Sequence, residues 1–186
     1  DFMNSQRFDS AYRTERFQAA SLGFENGNSM LLVLPEENVT VEDLLKEDMD
    51  EILHLSADHG DGFTYGEVNL SLPKFEISSS LDLIPIMKNM GVTDLFELED
   101  ADFTKLLGEK SREDYPVYVD KVQQASKAAI DENGCSVASF TKVELRSGSA
   151  MPTEKFVINC DHPFLFIISN YDGIPVFAGV VNQMGE

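Results

Sequence analysis

Positive charge is scarce in this sequence. Lys and Arg number 14 against 33 Asp and Glu, a formal net charge of −19 over 186 residues. A surface of that sign repels phosphate backbones and anionic lipid, which argues against nucleic-acid and membrane partners. The acid is scattered rather than gathered into a tail, so it reads as a solvating surface and not as a recognition patch. Cysteine is scarcer still. Cys135 and Cys160 are too few for a disulfide scaffold, and their spacing matches no zinc motif. The three histidines, His54, His59 and His162, also lack metal-ligand spacing. No apolar run reaches membrane-spanning length, and no signal-peptide pattern opens the sequence, whose first residue is Asp1. A Gly-rich phosphate loop, a nucleophile elbow, a zinc-binding helix and a CxxC pair are all missing. No cofactor is expected.

Apolar residues make up 42% of the chain, enough for one domain with a packed core. Residues 1–16 are polar with isolated aromatics and carry no clear element signal. Two strands follow, Phe17–Phe24 and Ser29–Leu34, joined by a hairpin turn at Asn26-Gly27 and closed by Pro35. Thr40 and Asp43 make a near capping box. Leu44, Leu45, Met49, Ile52 and Leu53 then recur at helical spacing, which predicts a single helix over about 41–55. "DHGDG" (58–62) has the composition of a calcium loop but lacks the alternating ligands and the terminal Glu. Val68, Leu70 and Leu72 alternate along a long strand broken at Pro73.

A helix is predicted in "SSSLDLIPIMKNMG", from a Ser cap to Gly91, with Pro85 near its first turn. Residues 94–114 are acidic and irregular, with room for a short helix. "YPVYVDKVQQASKAAID" is open to two readings: its Ala and Gln content suits a helix, and its Tyr- and Val-rich start, which favours a strand, decides for strand. "PFLFIIS" and "IPVFAGVV", joined by a turn at Asp172-Gly173, are apolar almost without interruption. They predict two central strands buried on both faces.

Catalytic chemistry has one candidate pair. Cys160 and His162 lie two residues apart, but Asp161 places negative charge beside the thiol, which opposes a thiolate. The expectation is a structural imidazole satisfied by backbone, and no enzyme. The segment left unexplained is "DENGCSVASFTKVELRSGSAMPTEKF" (131–156), long, rich in small residues, and neither a good helix nor a good core strand.

Several stretches together carry a resemblance. "CDHPFLFIISNYDGIPVFAGVVNQ" resembles the C-terminal signature of the serpins, the serine protease inhibitors. "NGNSMLLVLPEENVTVEDL", "EVNLSLPKFEIS", "MGVTDLFELEDADF" and "YVDKVQQASKAAIDENG" are similar to further serpin segments, and they come in serpin order across essentially all of the chain. The resemblance implies an α+β fold of mainly antiparallel sheets with a few helices. It also implies that the chain is one incomplete domain, the C-terminal half, whose N-terminal half is missing. A reactive-centre loop at about 134–156 and a buried C-terminal hairpin at about 163–182 are implied with it.

For function the resemblance implies a suicide substrate of a trypsin- or elastase-like serine protease, acting outside the cell. The protease cleaves the loop, and the loop then enters the central sheet as a strand with the acyl-enzyme still attached. The implied hinge is Glu132 with Gly134, Cys135, Ser136, Val137, Ala138 and Ser139, small and uncharged from Gly134 onward as insertion requires. Counting from Gly134 places the reactive bond at Gly148-Ser149, while the preference of a trypsin-like pocket gives Arg146-Ser147 instead. A Glu132–Lys74 ion pair is implied as a restraint on early insertion, and Gln124 stands where the family often has a His. The alternatives are a non-inhibitory serpin that binds or carries a ligand, and an inactive fragment.

Overall fold

The computed structural model describes residues 2–24, 26–57, 62–108, 116–131, 134–135 (backbone only) and 154–182. Ten strands and four short helices are present among them, with one 3-10 turn at Asp94–Phe96.

Seven strands form one sheet: β1 (Phe2–Arg13), β2 (Phe17–Gly23), β3 (Ser29–Pro35), β4 (Thr64–Pro73), β8 (Lys155–Asn159), β9 (Phe164–Ser169) and β10 (Pro175–Val181). Their order is β10-β9-β3-β2-β1-β4-β8. Every pairing is antiparallel except β4 with β8, which is parallel. The polar opening of the chain is therefore a strand. β1 pairs with β4 from Phe2 opposite Pro73 to Ala11 opposite Thr64. Its side chains alternate between exposed and half-buried, so no apolar periodicity marks it. The Val68, Leu70, Leu72 alternation of β4 supplies the register instead.

The helix predicted over 41–55 is two: α1 (Val41–Glu47) and α2 (Met49–Ala57). The capping box is present, with Thr40 Oγ1 accepting from Asp43 N–H and Asp43 accepting from Thr40 N–H. The break falls at Asp48, whose carboxylate accepts two hydrogen bonds from Arg16 Nε at 2.9 and 3.0 Å. Asp is a poor helix former, and a charge-assisted contact to a strand neighbour wins there over a further helical turn.

α1 and α2 cover one face of the sheet. Phe17, Leu31, Val33, Leu44, Ile52, Leu55, Leu165 and Ile167 form the core between them. On the sheet, Phe166 and Phe164 pack against Phe75, with ring centroids 5.5 and 5.7 Å apart. Ser56 on α2 and Ser169 on β9 bury one polar contact in this packing, a 2.9 Å hydroxyl pair.

β9 is buried along its whole length between β3 and β10, as its continuous apolar run predicts. β10 differs from expectation. Among the described residues it is one of the sheet's two edge strands, and Val176 is 58% exposed, so there only one strand of the C-terminal hairpin is central. An apolar run reports affinity for burial; it does not report how many neighbours the strand finds. The Asp172-Gly173 turn is as expected, with Asn170 Oδ1 accepting from the N–H groups of Asp172 and Ile174.

A second sheet has the order β5-β6-β7, where β5 is Phe75–Asp82, β6 is Gln123–Asp131 and β7 is Gly134–Cys135. Residues 77–127 make a compact unit of their own. In it β5 runs through the serines expected to cap a helix. α3 (Ile84–Asn89) begins later, and Asp82 Oδ1 accepts the Ile84 N–H. Ser78–Ser80 are all exposed on β5 and cap no helix. Gly91, at φ 91°, follows the helix end as predicted. The short α4 (Thr104–Leu107) lies in the acidic stretch, and the Val-rich residues 116–122 precede β6 without joining a ladder.

Candidate functional site

The stretch 131–156 starts at the end of β6 and finishes on β8. On β6 the even-numbered side chains face inward at Ala128 and Ile130, 4% and 2% exposed, while Gln123, Gln124 and Ala125 are exposed. β7 turns back along the edge of β6 that β5 leaves open. Gly134 lies opposite Asp131 and Cys135 opposite Ile130, in antiparallel register. The predicted hinge thus opens as a strand. Glu132, Ser136, Val137, Ala138, Ser139, Arg146, Ser147, Gly148 and Ser149 lie outside the described residues. Lys74 stands exposed at the break between β4 and β5; its predicted partner Glu132 is among those outside. Gln124 donates to Ser126 Oγ at 3.4 Å.

The far end of the stretch is clamped. β8 places Phe156 and Ile158 in the core and Lys155, Val157 and Asn159 outside. Lys155 Nζ lies 3.1 Å from Glu67 Oε2, and Gln6 Nε2 donates to Glu67 Oε1 at 2.6 Å. Gln6 first, and then Lys155, hold the Glu67 carboxyl below its ordinary range. Arg13 donates to the Lys155 carbonyl at 3.2 Å and lies 4.9 Å over the Phe156 ring. Backbone bonds complete the clamp, from Glu67 N–H to Glu154 O at 2.9 Å and from Cys160 N–H to Ser71 O at 2.8 Å. Sequence reasoning missed Gln6, Arg13 and Glu67. They become visible only once β1 is recognised as a strand and its register with β4 is known.

The Cys160–His162 pair is not arranged for nucleophilic catalysis. Cys160 is fully buried, and burial, with Asp161 adding to it, pushes the thiol pKa up to about 12. His162 Nε2 meets the Pro35 carbonyl at 3.0 Å and Nδ1 meets Asp161 Oδ1 at 2.9 Å, so both ring nitrogens are engaged. Among the described residues no group of His, Cys, Asp and Glu is placed to hold a metal.

His162 titrates as a clamp between the end of β3 and the start of β9. Partial burial pulls its pKa down. The Asp161 hydrogen bond, the Pro35 carbonyl and the charges of Asp161 and Glu36 outweigh that and raise it. A folded-state pKa above the unfolded one means a contribution fully present below the ordinary imidazole value of about 6.5 and lost as pH rises through the folded value. The expected result is that His162→Gln narrows the stability gap between pH 5.5 and pH 8, read from urea midpoints. A gap equal in both proteins contradicts it.

Comparison with known proteins gives the same reading. A family model described as Serpin (serine protease inhibitor) matches residues 1–184. Serine protease inhibitor 88Ea of Drosophila melanogaster is 33% identical over 145 residues, covering 75% of this chain and 31% of that protein. Leukocyte elastase inhibitor of Homo sapiens is 31% identical over 156 residues, covering 81% of this chain and 39% of that protein. Among solved structures, the thermophilic serpin tengpin in its native state superposes with a TM-score of 0.75 at 23% identity, covering 98% of this chain and 46% of that one. The chain spans less than half the length of these relatives. With the family model matching residues 1–184 and relatives more than 30% identical, the chain belongs to the serpin family.

Proposed function

We propose that the chain carries the bait and the insertion edge of a serine protease inhibitor that works as a suicide substrate. The observation that carries this is β7. The first residues of the loop segment already pair with the open edge of β6, antiparallel and in a defined register. In the inserted state that register continues: Val137 opposite Ala128, Ser139 opposite Ser126, Phe140 opposite Ala125. Directly opposed residues share a face. Val137 therefore faces inward with buried Ala128, and bulky Phe140 faces outward with exposed Ala125. Each added backbone bond is worth about 1 kcal/mol, so some ten of them supply the driving force.

In this reading the protease serine attacks the carbonyl carbon of Gly148 or Arg146. The peptide C–N bond breaks, an acyl-enzyme forms, and the new amino terminus at Ser149 or Ser147 departs. Insertion along β6 then carries the acylated protease away before water reaches the ester. Glu132 and Lys74 restrain insertion until cleavage, the remaining N-terminal half of the domain supplies the other side of the slot, and the protein acts outside the cell. The test is incubation with trypsin-like and elastase-like proteases. The expected result is a covalent adduct stable in denaturing gels, with a released fragment beginning at Ser149; a fragment beginning at Ser147 assigns Arg146 instead. Cleavage with no adduct refutes inhibition and leaves a non-inhibitory serpin.

A further inference from the structure

We infer that Asn38 is an N-glycosylation site, the acceptor for an oligosaccharide carried on a polyprenyl diphosphate. The inference rests on the extracellular reading above. Two tripeptides fit the Asn-x-Ser/Thr acceptor pattern, Asn38-Val39-Thr40 and Asn69-Leu70-Ser71, and the fold treats them differently. Asn38 lies in the turn between β3 and α1, closed by the Val39 N–H donating to the Glu36 carbonyl at 3.1 Å. Its φ of 71° is left-handed, a conformation that Asn adopts more readily than most residues. Asn38 and Thr40 are exposed, and the Asn38 side chain makes no hydrogen bond among the described residues. A glycan there projects into solvent and displaces nothing.

Asn69 is placed otherwise. It is half-buried in the middle of β4, opposite Gln6 on β1 and Val157 on β8. A glycan there would lie across three paired strands and over the cluster that clamps β8.

The transfer balances simply. The Asn38 amide nitrogen bonds to the anomeric carbon of the sugar, the bond from that carbon to the diphosphate oxygen breaks, the lipid diphosphate leaves, and the amide proton passes to a base on the transferase. Nothing is oxidised or reduced. Thr40 has two successive duties: its hydroxyl assists the acceptor amide in the extended chain, and in the folded protein it accepts the Asp43 N–H at 3.1 Å. Modification therefore precedes the capping of α1.

The experiment translates the chain behind an appended signal sequence in the presence of microsomes. The protease-protected product is compared on gels with and without peptide N-glycosidase. The expected result is one enzyme-sensitive increment, kept in Asn69→Gln and lost in Asn38→Gln. No increment, or an increment that survives Asn38→Gln, overturns the assignment. The readout does not require the variants to fold, and the appended signal makes it independent of where the protein naturally resides. The extracellular reading stands or falls separately, on detecting the native protein in culture medium.

Discussion

Val137→Asp is expected to turn the proposed inhibitor into a substrate. If the loop inserts with the β6 register carried on, Val137 would come opposite Ala128, which is 4% exposed, and insertion would bury the new carboxylate. Burial of an unpaired charge costs several kcal/mol. A loss of that size removes a large share of the gain from the backbone bonds that insertion adds, and each 1.4 kcal/mol is about a tenfold change in partition. Adduct yield should fall by about a hundredfold or more, while cleavage at the bait proceeds at an undiminished rate because the bait residues are untouched. Phe140→Asp is the companion measurement. In the proposed inserted strand it would come opposite exposed Ala125 on the outward face, so adduct yield should stay within a few-fold of the parent. Equal adduct from the parent and Val137→Asp would refute the register; equal loss in both variants would mean that any charge in this segment blocks insertion, and that face does not matter.

Gly173→Ala should be the most damaging single-methyl change in the described residues. Gly173 has φ 77°, and a Cβ built there would sit 2.3 Å from the Ala57 carbonyl oxygen and 3.0 Å from its carbonyl carbon. The left-handed backbone alone costs an L-residue about 1–2 kcal/mol. The contact adds more, because the obstacle is backbone at the end of α2 and cannot rotate away. A total of about 4 kcal/mol corresponds to a melting-temperature drop of roughly 8–16 °C for a chain of this size. Gly27→Ala separates the two causes. Gly27 has φ 83° but its Cβ would meet only Tyr171 Cβ at 3.5 Å, an ordinary contact, so it bears the conformational cost alone. If the two variants melt together, the α2 contact contributes nothing.

The sequence disclosed those parts of the fold whose causes are local. The Thr40–Asp43 box, the Asn26-Gly27 and Asp172-Gly173 turns and the alternation of β4 each depend on residues within a few positions of one another, and each is present. What it hid depends on partners distant in the chain. β1 has no apolar stripe and owes its register to β4, some 60 residues on. Asp48 breaks a helix because Arg16 reaches it from the edge of β2. β10 has a core strand's composition in an edge strand's place. At the loop the same division holds. The small, uncharged run proposed as a hinge can be read from consecutive residues, whereas Gln6, Arg13 and Glu67, which fasten β8, are assembled from separate strands.

The position of β9 also decides what a nick in the bait would leave behind. Everything downstream of Ser149 includes β8, β9 and β10, three of the seven strands of the main sheet, and β9 runs fully buried beside β3. A protease that severs the bait therefore cuts the covalent thread without dividing the body. The two pieces would stay zipped through the β3–β9 ladder and the Glu67–Lys155 clamp. A cut in the proposed bait would thus leave the described body in one piece.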